Sequence, residues 1–147
     1  MSTHKGFCLC QAVQYEITLP GEGEQQLYSI CHCKNCQKGG GSPFTANFLL
    51  PAKNMKLTKG MEGTDVKSYS MTQTTTGTPM TRYFCPVCGS TLYGKLAANN
   101  AVVIIQTGSL DDPIDAVMQP TQEIFSLDRR EWLKPLDGTK QVEKWFE

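Results

Sequence analysis

Arg82-Tyr83-Phe84-Cys85-Pro86-Val87-Cys88-Gly89-Ser90-Thr91-Leu92-Tyr93 reads as a strand, a tight metal-binding turn and a second strand. The two thiols of Cys-Pro-Val-Cys-Gly can reach one ion from a single turn; Pro86 stiffens that turn and Gly89 lets the backbone curl toward the sulfurs. A redox pair would instead open a helix, where the thiol pKa falls. Here Gly89 is followed by β-forming residues, so the segment predicts a zinc knuckle between strands.

Outward from it the same grammar recurs. Val13, Tyr15, Ile17 and Leu19 alternate with polar residues, the period of a half-buried strand, and Pro20-Gly21 ends it. Further strands are predicted at 27–30, 44–50, 55–58, 67–71, 80–84, 91–93 and 102–107, mostly bounded by Gly, Pro, Asn or Asp. Helix is expected at two places only: the turn after Cys33, and 128–133, with Asp128 as N-cap. The Thr-rich stretch 70–79 reads as a hairpin loop and 108–113 as a turn cluster. The fold class is mainly β with minimal helix, as a single domain over residues 1–147.

Charge and hydropathy exclude several classes of function. Fourteen basic and fourteen acidic side chains leave no footprint for nucleic acid. The longest apolar run, 101–105, is too short to cross a bilayer. The first residues lead into no apolar signal core, and seven is an odd number of cysteines, so a fully paired disulfide framework is ruled out. A reducing compartment, the cytoplasm, is expected.

The cysteines fall into a CxC pair (Cys8, Cys10), a CxCxxC triplet (Cys31, Cys33, Cys36) and the knuckle pair (Cys85, Cys88). Structural zinc takes four protein ligands, and reactive zinc takes three with an open position, so seven divides into four and three. Residues two apart share one face of a strand, which makes Cys8 and Cys10 a plausible second arm for the knuckle across about 75 residues. Such a clip restricts the unfolded chain. The triplet spans six residues and can hold an ion alone, with His32 projecting to the other side. Pairing of the knuckle with two triplet sulfurs stays open on spacing alone.

The order CxC, CHCxxCQK followed by Gly-Ser-Pro-Phe, RYFCPVCGS and Gly-Ser-Leu-Asp-Asp-Pro resembles the glutathione-dependent formaldehyde-activating enzyme family, which has centromere protein V among its relatives; the resemblance runs from Gly6 to Trp132. It implies a β-tent of several small coiled antiparallel sheets around a structural zinc on Cys8, Cys10, Cys85 and Cys88. It also implies a second, catalytic zinc on Cys31, Cys33 and Cys36. Two departures are visible: the sequence is shorter than the formaldehyde-activating enzymes proper, and Glu123 stands where those enzymes tend to have His.

A three-thiolate zinc suits a soft fourth ligand, and metal coordination keeps a thiol deprotonated. The expected function is therefore a carbon-sulfur lyase acting on a small thiol adduct, glutathione or a similar thiol. The alternatives are a tailoring enzyme for a non-thiol molecule and a non-catalytic zinc-stabilised binding protein. Weak candidates for substrate contact are Gly39, Gly40 and Gly41, which allow close backbone approach, together with Lys38 and Arg82 as carboxylate partners. Arg129 and Arg130 beside Trp132 read as a solvated face, and Met61, Met71 and Met80 as core filler.

Overall fold

The structure is a computed structural model and describes residues 2–111, 114 and 117–145. Asp112 and Pro113 of the expected turn cluster lie outside the described residues. Eleven described strands run in chain order as β1 (Thr3–Phe7), β2 (Gln14–Thr18), β3 (Leu27–Cys31), β4 (Thr45–Pro51), β5 (Met55–Lys59), β6 (Lys67–Met71), β7 (Met80–Phe84), β8 (Thr91–Leu96), β9 (Asn99–Gln106), β10 (Gln122–Ile124) and β11 (Lys140–Gln141). One short α-helix, α1 (Lys34–Gly40), follows β3. The mainly β reading with minimal helix holds.

Two sheets carry these strands. The smaller has the order β1-β2-β5, and the larger β11-β10-β3-β4-β9-β8-β7-β6. Pairing is antiparallel from β3 through β6, but at one edge β10 runs parallel to both β3 and β11. Tyr15 and Ile17 of β2 meet Phe48 and Leu50 of β4 and Val103 and Ile105 of β9 in the main core.

Side chains alternate across a strand, so the intervening residues Leu49, Val102 and Ile104 form a second apolar cluster on the opposite face of the large sheet. Burial on both faces explains why β4 and β9 read as nearly continuous apolar runs.

Three local expectations change. Cys8 and Cys10 lie in a turn just after β1, not on a strand; Gln11 there adopts a left-handed φ of 58°. The expected helix at 128–133 is replaced by a short 3-10 turn at Ser126–Asp128, so Asp128 ends a turn instead of capping a helix. Residues 72–79 connect β6 and β7 as expected and are tied to α1, because the Asn35 side-chain oxygen accepts from the Thr75 N–H at 2.9 Å and the Thr75 hydroxyl at 2.7 Å.

Sequence patterning missed β1, β10 and β11; β10 and β11 are short and lack alternation, and Glu123 ties their edge to distant segments. Its carboxylate lies 2.6 Å from His32 Nε2 and 3.3 Å from Arg129, and accepts from the Leu136 N–H and from Gln141 Nε2 at 3.1 Å. Arg129 is thus ion-paired and largely buried, which corrects its placement on a solvated face; Arg130 and Trp132 are exposed. Burial acts to raise the Glu123 pKa, but the Leu136 N–H, His32, Gln141 and Arg129 together hold it down at about 2.

Removing this carboxylate leaves two buried partners unmatched, so Glu123→Ala is expected to lose about 3 kcal/mol of stability in urea titration. The folded carboxyl is more acidic than the unfolded one, near 4.3. Its contribution is therefore fully present above that pH and fades as pH falls toward 2. The stability gap between the parent and Glu123→Gln is expected to stay constant above pH ~4.3 and to narrow below it.

Candidate metal centres and the chamber beside them

The fold brings the seven thiols into two groups. Sγ atoms of Cys8, Cys10, Cys85 and Cys88 lie within 4.8 Å of one another, as do those of Cys31, Cys33 and Cys36. The alternative pairing of the knuckle with triplet sulfurs is not the grouping observed.

In the four-cysteine group, Cys10 Sγ is 3.6 Å from Cys8 Sγ and 3.7 Å from Cys85 Sγ. A disulfide needs about 2.05 Å. Tetrahedral zinc with bonds of ~2.3 Å needs sulfurs roughly 3.8 Å apart, so the donor set fits zinc. The Val13 N–H donates to Cys8 Sγ at 3.3 Å, and the knuckle turn is closed by the Gly89 N–H on the Cys85 carbonyl at 2.8 Å. The thiols differ in acidity. The Ser90 hydroxyl, with the Ser90 and Cys10 backbone and Cys85, brings Cys88 down to about 5. At Cys10 a backbone hydrogen bond from Ala12 is outweighed by desolvation and neighbouring sulfurs, which push it up to about 11.

The triplet is built differently. Cys31 ends β3, Cys33 is the N-cap of α1 and accepts from the Cys36 N–H at 3.3 Å, and Cys36 sits in the first turn. All three are buried. Thiol donation from Cys31 and Cys33, with the Thr45 hydroxyl and the Arg82 charge adding, holds Cys36 down at about 2. Cys31 is pushed up by Cys33, Cys36 and burial. For Cys33, the lowering effect of Cys31 is overcome by Cys36 and burial. A divalent cation would let all three ionise together, and this donor set fits one. His32 faces away, onto Glu123, as its alternation with the cysteines implied.

Beside the triplet lies a chamber on the face of the large sheet opposite the core. The strand period puts Leu27, Ser29 and Cys31 of β3 on that face, with Asn47 and Leu49 of β4 and Ile104 of β9. Thr74, Thr75 and Thr76 of the β6–β7 loop, Phe125 and Trp145 complete the wall. The enclosed space is narrow, about 50 Å³, and widens to about 630 Å³ free of protein atoms when the solvent at its mouth is counted.

Met80 packs against the Leu49, Val102 and Ile104 cluster as expected and, with Met71, also lines this chamber, while Met61 is exposed. Patterning overlooked the chamber residues, although the odd-numbered positions of β3 and β4 already marked one face shared with Cys31.

Of the weak candidates, only Arg82 reaches the chamber. Lys38, Gly39, Gly40 and Gly41 border outer grooves on the exposed side of α1; Lys38 and Gly39 share one of these with Arg82. The glycines also have local reasons to be glycine. A Cβ on Gly39 would collide with the Arg82 guanidinium, and Gly41 closes α1 in the left-handed region at φ 60°.

Known proteins share this plan. A crystal structure of a Rhodobacter sphaeroides protein superposes with a TM-score of 0.55 at 22% sequence identity, covering 79% of this chain and 97% of that one. A Schizosaccharomyces pombe protein named as an uncharacterized lyase is 29% identical over 93 residues. That alignment takes in 63% of this chain but only 58% of the relative's length. The profile of the glutathione-dependent formaldehyde-activating enzyme matches residues 3–128, which include all seven cysteines, and on that match the chain belongs to the glutathione-dependent formaldehyde-activating enzyme family.

Proposed function

We propose that the protein is a zinc-dependent carbon-sulfur lyase acting on a small thiol adduct, with Cys31, Cys33 and Cys36 holding a catalytic zinc and Cys8, Cys10, Cys85 and Cys88 a structural one. The carrying observation is that the triplet thiols alone open into the chamber, whereas the four-cysteine group forms no part of its wall. The family name and the relative's description as a lyase support the reaction class. All seven cysteines are unpaired, which supports a reducing cytoplasmic setting. Among the described residues no helix is long and apolar enough to cross a membrane.

Bound zinc would supply the soft Lewis acidity that keeps a substrate sulfur deprotonated at neutral pH. The reaction class is RSH + R′CHO ⇌ RS–CH(OH)R′, in which one S–C bond forms or breaks without change of oxidation state. Asn47 Nδ2, 3.8 Å from Cys36 Sγ, orients that ligand, and Gln106 Nε2 fixes Asn47 through its side-chain oxygen at 2.9 Å. The apolar part of the wall excludes water from the reacting sulfur. Arg82 offers N–H donors to an anionic end of the substrate, and Lys38, Gly39, Gly40 and Gly41 are candidate contacts for parts of it that reach the outer side of α1.

Metal analysis of purified protein is expected to give two zinc ions per chain, one removed by mild chelation with the fold retained, because only the four-cysteine clamp joins distant segments. One ion per chain with all triplet thiols free to alkylate would defeat the two-site reading.

Circular dichroism and thermal melts are expected to show Cys85→Ala and Cys88→Ala unfolded, and Cys33→Ala and Cys36→Ala folded but inactive. Equal loss of structure in both groups would show that the roles are misassigned. With cobalt in place of zinc, millimolar glutathione or 2-mercaptoethanol is expected to intensify the sulfur-to-metal absorption as a further sulfur joins three. An unchanged spectrum with both thiols removes the thiol reading.

A further inference from the structure

Arg82 is 7% exposed, and only one of its hydrogen bonds is identifiable: Nη2 donates to the Asn35 carbonyl at 3.1 Å. Its Nε and Nη1 are buried without a protein acceptor. No carboxylate lines the chamber, and Arg82 is the single basic side chain in its wall among the described residues, where it also faces the triplet sulfurs. A buried guanidinium with two unmatched donors is costly unless an acceptor arrives, and a carboxylate fits its fork geometry.

Beside Ser29, Asn35, Asn47 and the threonines of the β6–β7 loop, the wall carries a large apolar part: Leu27, Leu49, Met80, Leu96 and Ile104 form one side, and Phe125 and Trp145, ring centroids 6.2 Å apart, also line it. Trp145 comes from the segment beyond the family match, held in place by the Phe125 N–H on the Lys144 carbonyl at 3.2 Å and the Ser126 N–H on the Val142 carbonyl at 3.0 Å. This chain therefore adds its own aromatic wall to the site. A peptide thiol such as glutathione carries two carboxylates and an ammonium, more charged groups than Arg82 can match in a wall with no acidic side chain.

We propose that the chamber takes a compact, mainly apolar molecule bearing one carboxylate, which Arg82 binds while the apolar body packs against the sheet and Trp145. The inference deepens the proposed function, since it rests on the triplet as the reacting centre, and it names the substrate class as an apolar monocarboxylate thiol or its adduct.

The zinc-loaded full chain carrying Trp132→Phe tests it, because Trp145 is then the single tryptophan and Trp132 is exposed and remote from the wall. Tryptophan emission is followed during titration with 3-phenylpropanoate, 3-phenylpropanamide, 2-mercapto-3-phenylpropanoate and glutathione. The expected result is a saturable shift with 3-phenylpropanoate, at least tenfold weaker binding of the amide, and at least tenfold tighter binding of the mercapto acid. Arg82→Gln is expected to abolish the preference for carboxylate over amide. If that variant fails to fold, the comparison of the two ligands on the parent chain still decides the matter. Equal affinities for acid and amide, or no saturable response to either, overturn the proposal. Equal binding of 3-phenylpropanoate and its mercapto derivative leaves the chamber assignment standing and removes the thiol reading. Binding of glutathione alone does the reverse.

Discussion

The central strands β4 and β9 must bury apolar side chains on both faces, and the rest of the structure follows from how each face is covered. The small sheet covers one face, and Tyr15 and Ile17 of β2 complete the main core there with Phe48, Leu50, Val103 and Ile105. The other face receives only a partial cover, made by the β6–β7 loop, α1 and the segment ending at Trp145. An apolar sheet face that is roofed but not filled is a chamber, and the register of β3 against β4 delivers Cys31 and its partners to its edge.

The parallel edge of the sheet is held by charge. Glu123 gathers His32, Arg129, Gln141 and the Leu136 backbone, and through them joins the strand leading into the triplet to the segment that supplies Trp145. A buried carboxylate with this many donors is stable only because all of them converge, so the edge is cooperative. His32 serves this network and not the sulfur cluster, although it lies between two cysteines.

The two thiol groups occupy different physical settings. Cys8, Cys10, Cys85 and Cys88 join a turn near the chain start to the knuckle, with the Val13 N–H donating to Cys8 Sγ. Cys31, Cys33 and Cys36 come from one strand end and one helical turn, where their charge is tempered by Thr45 and Arg82 and their open side meets the chamber.

Local sequence determined most of the strands, the helix after Cys33 and the three cysteine motifs, because period-two alternation and ligand spacing are short-range properties; which motifs share a site was decided by the fold. Lys67–Met71 and Met80–Phe84 are read correctly to the residue for that reason. Tertiary structure alone decided the rest. The strand β10 pairs with β3 from far along the chain, β11 pairs with β10, and both are tied there by Glu123; no window of their own sequence carries that information. The chamber is formed by alternate residues of strands far apart in the chain. Met71 and Met80 become wall, and Lys38 is placed outside, through strand register and the direction in which α1 leaves β3. Arg82 acquires its significance in the same way: its charge is ordinary in sequence and becomes decisive only when folding buries it, half-satisfied, beside three sulfurs.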